Sequence, residues 1–469
     1  LIPIMLLVLF AICFGNCKDD KDANSGKEFD PGRPVLISGF TPEKGGRGQR
    51  LVIKGENFGN DPAMVKVLLG GKEAKVIGVD GENLFCLVPG KAYEGTLEVH
   101  VRNREQSAKV TADKKFEYER KMLVSTLFGY KNDRDDQNWR QGKFYNEDGT
   151  PNAAGFKSES YMRFDPIDKH ILWVGFDGNA LYTVNMKDST FNKHLDGWDR
   201  LRSVEFSPDG KYMVVSEDRG DANGRATRIL SRTDGFKGRA VLTKYKLCNT
   251  ASFHPVNGEL YYNSAEQGQF FRFDMEEYYS NPSGYVARKG DELFKVQDSG
   301  WAFRIVMHPT GDYAYIMVTN KGCIMRADYN WGLKRFKQPY VVCGEAGQRS
   351  WADGIGVNAR LNRPYQGVFV KNPEYEAAGK NDIYDYYFTD VDTHSVRILT
   401  PEGVVTTFAG RGSPGLNLNA DGFVEGEVRL EARFNAPTGI EYDENEKAFY
   451  ISDTKNRRMR KIALEDMEE

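Results

Sequence analysis

The chain has 469 residues, with 64 Lys and Arg against 67 Asp and Glu interspersed along it and a net charge of -3. That length exceeds what one hydrophobic core organises, so more than one domain or a repeat array is expected, and the lack of a basic field to collect a polyphosphate argues against a nucleic-acid partner. Aromatic residues make up 12% and 48 glycines lie among them, which is the composition of many short strands joined by tight turns.

The first sixteen residues, LIPIMLLVLFAICFGN, form an apolar run that stops at Cys17 and gives way to KDDKDANSGKE. A spanning helix needs ~20 apolar residues, so this shorter run reads as a signal peptide. Its end resembles a bacterial lipobox, and the resemblance implies that Cys17 is lipidated and tethers the chain to the outer membrane, with residues 1–17 as signal peptide and anchor. Ordinary signal cleavage, with Cys17 a bystander, is the alternative. Lys18, Asp19 and Asp20 resemble the acidic signal that sends some such lipoproteins to the cell surface. Residues 18–32 carry charge and no apolar period, and so are expected to be a flexible tether.

From Pro34 the text alternates: LVIKG, VKVLLG, KVIGV, LFCLVP and TLEVHV are turn-bounded strands of a sandwich. The series SGFTPEKGG, IKGENFG, VLLGG and CLVPG resembles the IPT/TIG family of immunoglobulin-like folds over residues 33–118. In that family Gly55, Asn57, Phe58 and Gly59 would form a structural turn and plug.

From residue 122 to 465 a longer period takes over. One phrase recurs six times, led by Phe164, Phe206, Phe253, Met307, Phe369 and Tyr442, each followed by a polar turn and a second strand. A third strand follows in each repeat, and five of the six carry an arginine: Arg228, Arg272, Arg326, Arg397 and Arg460. Fourth strands are legible in YVVCGE and VVTTFAG, which gives the four-stranded blade of a propeller. LNRPYQGVFV, VDTHSVRILTPEGVVTTFAG and RFNAPTGIEYDENEKAFYISDTKNRRMRKI resemble NHL repeats. The last repeat lacks a fourth strand, whereas MLVSTLFG at 122–129 precedes the first and matches VVTTFAG. The fold class is therefore all-β: an immunoglobulin-like sandwich, then a six-bladed β-propeller closed by its own N-terminal strand.

Cys86, Cys248, Cys323 and Cys343 lie far apart without metal or redox spacing, and each sits beside strand-like apolar residues, as a small hydrophobe does. A Cys323–Cys343 disulfide is possible but unsignalled. His254 and His308 hold the same turn position, and His100, His170 and His194 have no partner at ligand spacing, so no metal or other cofactor is expected. Asp133, Arg134, Asp135 and Asp136 lack the pattern of a calcium loop and read as solvated.

The blade-to-blade connections are long, about 130–160, 343–366 and 409–437, and long structured loops concentrate function. They carry Trp139, Trp198, Trp301 and Trp351, with Tyr145, Asp353, Arg360, Asp421 and Arg433 beside them. Rings flanked by carboxylates and guanidinium groups suit a sugar, which stacks its C–H face and hydrogen-bonds its hydroxyls, although the same rings also serve to pack long loops. No catalytic residue is assigned. The combination of lipobox, IPT/TIG module and NHL-like blades is similar to surface lipoproteins of bacterial glycan-uptake loci, which implies an extracellular glycan ligand and partners in an uptake complex. A propeller enzyme (lyase, lactonase or hydrolase) and a protein-binding scaffold are the other readings.

Overall fold

The computed structural model describes residues 27–129, 141–150, 152, 155, 158–176, 178–221, 224–296, 300–411 and 420–466. Cys17, Lys18, Asp19, Asp20, Asp133, Arg134, Asp135, Asp136 and Trp139 lie outside them. The described residues form two compact units, one ending at Lys121 and regaining Glu465, the other Met122–Leu464.

The first unit is a sandwich of antiparallel strands ordered Leu36–Thr41, Arg50–Glu56, Asn83–Leu87, Lys72–Val79, Val65–Leu69, Leu97–Arg102 and Ser107–Thr111. Alternation decides its core: Leu51 and Ile53, Val67 and Leu69, and Leu97, Val99 and Val101 point inward and are fully buried. Phe58 plugs one end, buried completely. The plug works only because residue 55 is glycine, since a Cβ there would lie 1.9 Å from the Leu36 carbonyl oxygen. Asn57, at φ 65°, accepts from Asp30 N (2.9 Å) and donates to the carbonyls of Asp30 (2.8 Å) and Arg33 (2.9 Å). Phe29 packs on the same core. The expected tether over 18–32 is thus fixed to the sandwich from Phe29 onward, because one side-chain amide satisfies three backbone groups of that segment.

The described residues of the second unit make six antiparallel blades, each named here by its strands from the axis outward. Blade 1 is Ser160–Phe164, Ile171–Phe176, Gly178–Asn185 and the first part of Thr190–Phe206. Blade 2 is the latter part of that strand, then Tyr212–Glu217, Arg225–Ser231 and Ala240–Lys244. Blade 3 is Ala251–Phe253, Leu260–Ser264, Gln269–Phe273 and Asp291–Lys295. Phe303–Met307, Tyr313–Val318, Cys323–Asn330 and Tyr340–Gly344 form blade 4. Pro364–Lys371, Tyr384–Asp390, Ser395–Leu399 and Val404–Gly410 form blade 5. Blade 6 is Pro437–Asp443, Ala448–Asp453 and Arg458–Leu464, completed by Met122–Phe128. That closing strand runs antiparallel to the last, from Met122 opposite Leu464 to Phe128 opposite Met459, and pairs outward with Gly426–Glu427. It removes the exposed edge that an unclosed ring would carry.

Aromatic and aliphatic side chains fill the wedges between blades. Tyr315, Phe369 and Tyr386 interlock between blades 4 and 5, with ring centroids 4.8 to 5.3 Å apart. All four cysteines in the folded units are buried free thiols, and burial pushes Cys86, Cys248 and Cys323 up to about 12, out of the range of a reactive thiolate. His254 and His308 stabilise their turns: His254 Nδ1 accepts from Asn257 N (3.3 Å) and His308 Nδ1 meets Thr310 Oγ1 (2.7 Å).

Three of the five periodic arginines, Arg228, Arg397 and Arg460, make a repeated structural contact, whereas Arg272 pairs with Glu259 and Arg326 with Asp328 on its own strand. In blade 6, Arg460 is wholly buried, pairs with buried Asp453 at 2.9 Å, and donates to the carbonyls of Arg433 (3.3 Å) and Val424 (2.9 Å). In blade 5, Arg397 pairs with buried Asp390 at 3.4 Å and donates to the carbonyls of Arg360 (3.3 Å) and Ala352 (2.9 Å). Each aspartate in turn accepts backbone N–H groups where the chain enters the inner strand of the same blade, Asp453 from Asn435 (2.7 Å) and Asp390 from Arg363 (2.7 Å). Blade 2 repeats the device with Glu217, which accepts from Arg228 (2.7 Å) and from Asp199 N (3.1 Å).

Candidate ligand-binding site

Inner strands of a propeller converge on the axis, so a residue at one repeat position is brought beside its counterparts from the other blades. Four residues before each lead residue stand Ser160, Arg202, Asn249, Phe303, Tyr365 and Thr438. Four of these, Arg202, Asn249, Phe303 and Tyr365, line a cavity of about 360 Å³ at the axial mouth. It opens on the face formed by the blade-to-blade connections and the second-to-third turns. Glu159, Arg200, Asp218, Arg304 and Arg363 complete its polar wall.

The wall holds four arginines against two carboxylates. Arg202 donates to Asp218 Oδ2 through Nε (3.0 Å) and Nη2 (2.7 Å), and Arg200 stands 3.9 Å from the same oxygen. Arg363 pairs with Glu159 and with Asp392 (3.1 Å). Arg304 differs: it is 3% exposed and has no carboxylate partner among the described residues. Its Nη1 donates to the carbonyls of Arg202 and Asn249 (2.8 Å for the latter), and its guanidinium lies over Tyr365, 4.3 Å from the ring centroid. Two acceptors in the wall, Asp218 Oδ1 and Asn249 Oδ1, are buried without a hydrogen-bond partner. Unpaired buried groups of this kind cost free energy unless a ligand or water meets them. Arg200 takes φ 54° at the corner where the chain passes from blade 1 to blade 2, and Asp218 N bonds its carbonyl (3.0 Å). A second hollow of about 630 Å³, lined by Trp198, Asp199, Arg219 and Asp221, shares Arg200 and Asp218 with the mouth and extends it outward.

The residues expected from sequence to bind ligand do not form one site. Trp198 is 3% exposed, packed in the wedge between blades 1 and 2 beneath Arg239 (5.2 Å) and Arg228 (5.8 Å). Trp301 is half-buried against the core of blades 3 and 4. Trp351, Asp353 and Arg360 fold the connection between blades 4 and 5: Trp351 Nε1 donates to Thr407 (3.1 Å), Asp353 accepts from Arg397 (2.9 Å), and Arg360 pairs with Glu345 (3.0 Å). Asp421 and Arg433 lie together in the connection between blades 5 and 6, where Asp421 accepts from Asn435 Nδ2 (3.5 Å). Tyr145 is exposed and donates to Leu127 O (3.0 Å). Trp198, Trp301 and Trp351 thus each pack or bond against a blade, and Trp198 also lines the second hollow. The mouth is written instead in polar residues of the inner strands. Replacing Trp198 with Ala should therefore lower unfolding stability by about 3 to 5 kcal/mol, measured by urea denaturation.

Below the mouth, one repeat position holds a buried charge cluster. Arg163, Glu205 and Glu441 each directly precede a lead residue. Arg163 donates to both oxygens of Glu205 (3.0 and 2.9 Å) and to Glu441. One guanidinium serves two carboxylates, and burial pushes Glu441 up to about 7 against the pull of Arg163. Because the folded value lies above the ordinary 4.5, the folded state binds the extra proton, so this stabilisation is complete below pH 4.5 and is lost as pH rises through 7. Glu441→Gln should remove most of that slope, worth about 3 kcal/mol at most, in denaturation curves compared at pH 5 and pH 8. Among the described residues no group of three or more His, Cys, Asp or Glu is placed to hold a metal ion.

The IPT/TIG domain family matches residues 34–118. A curated relative, human NHL repeat-containing protein 2, is 29% identical over 114 residues, which are 24% of this chain and 13% of that protein, so the chain spans a small part of its length. Solved structures cover far more. An auxiliary nutrient binding protein from Bacteroides thetaiotaomicron is 41% identical, with 94% of this chain and all of that one aligned at a TM-score of 0.84. A second protein of the same organism, described as "Putative phosphatase", is 38% identical over 94% of this chain and 99% of its own, at a TM-score of 0.86. An auxiliary nutrient binding protein from Bacteroides ovatus is 37% identical over 94% of this chain and all of its own, at 0.68. Identity at this level along two whole domains is common descent, and the chain belongs to the family of IPT/TIG-propeller proteins that includes these Bacteroides auxiliary nutrient binding proteins.

Proposed function

We propose that this protein binds an extracellular nutrient, a glycan, in the axial mouth of its propeller, and that it does so at the outer surface of the cell, held by lipid on Cys17. The observation that carries the reading is the cavity itself: 360 Å³ of space at the axis, walled by arginines, with two buried acceptors left unpaired. Small-molecule sites have this character, a concave space of ~300 to 1,000 Å³ with a few convergent polar groups. Two relatives named as nutrient binders, aligned over nearly the whole chain, support the same role. Among the described residues no helix is long and apolar enough to cross a membrane, and the apolar run ending at Cys17 supports attachment by lipid.

A glycan array probed with the full chain tests the ligand class. Binding that disappears in Asp218→Asn but survives in Trp351→Ala places it in the mouth; loss in the second variant alone moves it to the outer loops. Equal fatty-acid labelling of wild type and Cys17→Ser removes the anchor from the reading. Catalysis is the second reading, favoured by Glu159 and Asp218 facing one cavity beside arginines, and by the relative described as "Putative phosphatase". Turnover of an array hit, or of p-nitrophenyl phosphate, sought by product analysis, decides between the two.

A further inference from the structure

The mouth holds cations short of a carboxylate and acceptors short of a donor, and together they describe a ligand. Arg304 is a buried cation with no carboxylate partner among the described residues, and Arg200, whose side chain is 64% exposed, stands at the rim with only a distant share of Asp218. A buried guanidinium left facing a cavity favours an anion there. Asp218 Oδ1, on a residue 6% exposed, and Asn249 Oδ1 are acceptors without donors. They call for hydroxyl groups. The two carboxylates of the wall do not repel such an anion strongly, because Glu159 is held by Arg363 and Asp218 Oδ2 by Arg202.

We infer that the mouth selects an acidic sugar: a hydroxylated ring bearing a carboxylate or a sulfate, with Arg304 and Arg200 receiving the anionic group while Asp218 and Asn249 accept its hydroxyls. This rests on the reading of the mouth as a glycan site. Charge-assisted bonds from arginine to an oxyanion are shorter and stronger than neutral ones, and they discriminate against a neutral sugar of the same shape because the Arg304 charge would then stay in the cavity without a counter-charge. The adjoining hollow of about 630 Å³, which shares Arg200 and Asp218, gives room for further units of a chain beyond the acidic one.

The test is an array carrying neutral, uronate-containing and sulfated oligosaccharides, followed by calorimetric titration of the full chain with the best hit. Hits confined to the two acidic classes are expected, and which class binds identifies carboxylate or sulfate as the anion. For a uronate hit, reduction of its carboxyl groups to hydroxymethyl should weaken binding at least tenfold; for a sulfated hit, desulfation should do so. Affinity should fall with added sodium chloride. Arg304→Gln should abolish binding, and because Arg304 also bridges inner-strand carbonyls, the exposed Arg200→Gln provides a fold-neutral check, with an expected loss of several-fold. Neutral glycans bound as tightly as acidic ones, with Arg200→Gln and salt having no effect, would overturn acidic selection and leave the glycan site standing. Binding to no glycan of any class overturns the glycan reading and this inference with it.

Discussion

A chain that begins at Lys121 should fold into a propeller with a cooperative thermal transition, and one that begins at Tyr130 should not. The difference is the strand Met122–Phe128. It pairs with Arg458–Leu464 along six matched positions and carries Val124 and Phe128, 1% and 0% exposed, into the cores on its two faces. Phe128 stacks on Phe144 at 4.3 Å and meets Phe191 at 5.5 Å, so its loss reaches into blade 1 as well as blade 6. Deleting the strand leaves the backbone groups of Arg458–Leu464 unpaired and the wedge open, and a bare edge of that length is also a template for association between chains. A milder form of the experiment is Phe128→Ala in the full chain, expected to cost about 3 to 5 kcal/mol. Scanning calorimetry on the two truncations decides the matter: equal melting temperatures would mean that the ring does not depend on its closing strand.

That closure was legible in the sequence because it rests on counting. Six repeats, the last of them ending after its third strand, leave one strand missing at the end, and MLVSTLFG, spare at the beginning, matches VVTTFAG in pattern. The sandwich was legible for a similar reason, since the strict alternation in VKVLLG and TLEVHV leaves one face for the core. The candidate site at the axial mouth was not, because its parts are local anomalies set about 50 residues apart. Arg202, Asn249 and Tyr365 look like ordinary strand or turn residues until the repeats are aligned on Phe206, Phe253 and Phe369, when all three fall at one position. The same alignment puts Arg163, Glu205 and Glu441 at another single position, and charge recurring there on the innermost strand was the available signal for an axial cluster. Arg304 falls one place out of phase with the first set, and no periodicity announces it. Tryptophan in long loops was the louder signal, and a large ring that pins a loop has the same sequence signature as one that stacks on a ligand. Trp198 carries both features, covered by two arginines in the wedge between blades and bordering the second hollow.

Asp453→Asn should destabilise the propeller by about 3 to 5 kcal/mol, because it removes the charge from a fully buried pair and leaves Arg460 an uncompensated cation. Burial pushes the Asp453 carboxyl up to about 6 against the attraction of Arg460, so the pair is itself held at a cost that the surrounding bonds must offset. They do so by tying three chain segments together: Asp453 holds Asn435 N, and Arg460 holds the carbonyls of Arg433 and Val424. Arg460→Met alone should be comparably damaging, since it leaves Asp453 buried without its cation. The double variant should lose less than the two singles combined, and the coupling measures the pair. Blade 5 supplies the comparison, because Arg397 pairs with Asp390 and donates to the carbonyls of Arg360 and Ala352 in the same way, with Asp353 as a second carboxylate. If the device serves to fix the long connections, Asp453→Asn should loosen 420–437 and Asp390→Asn should loosen 344–364, each seen as faster amide exchange confined to its own connection. Loss of stability without that local pattern would make these pairs ordinary core contacts, and the long-loop face would then owe its shape to Trp351 and its neighbours instead.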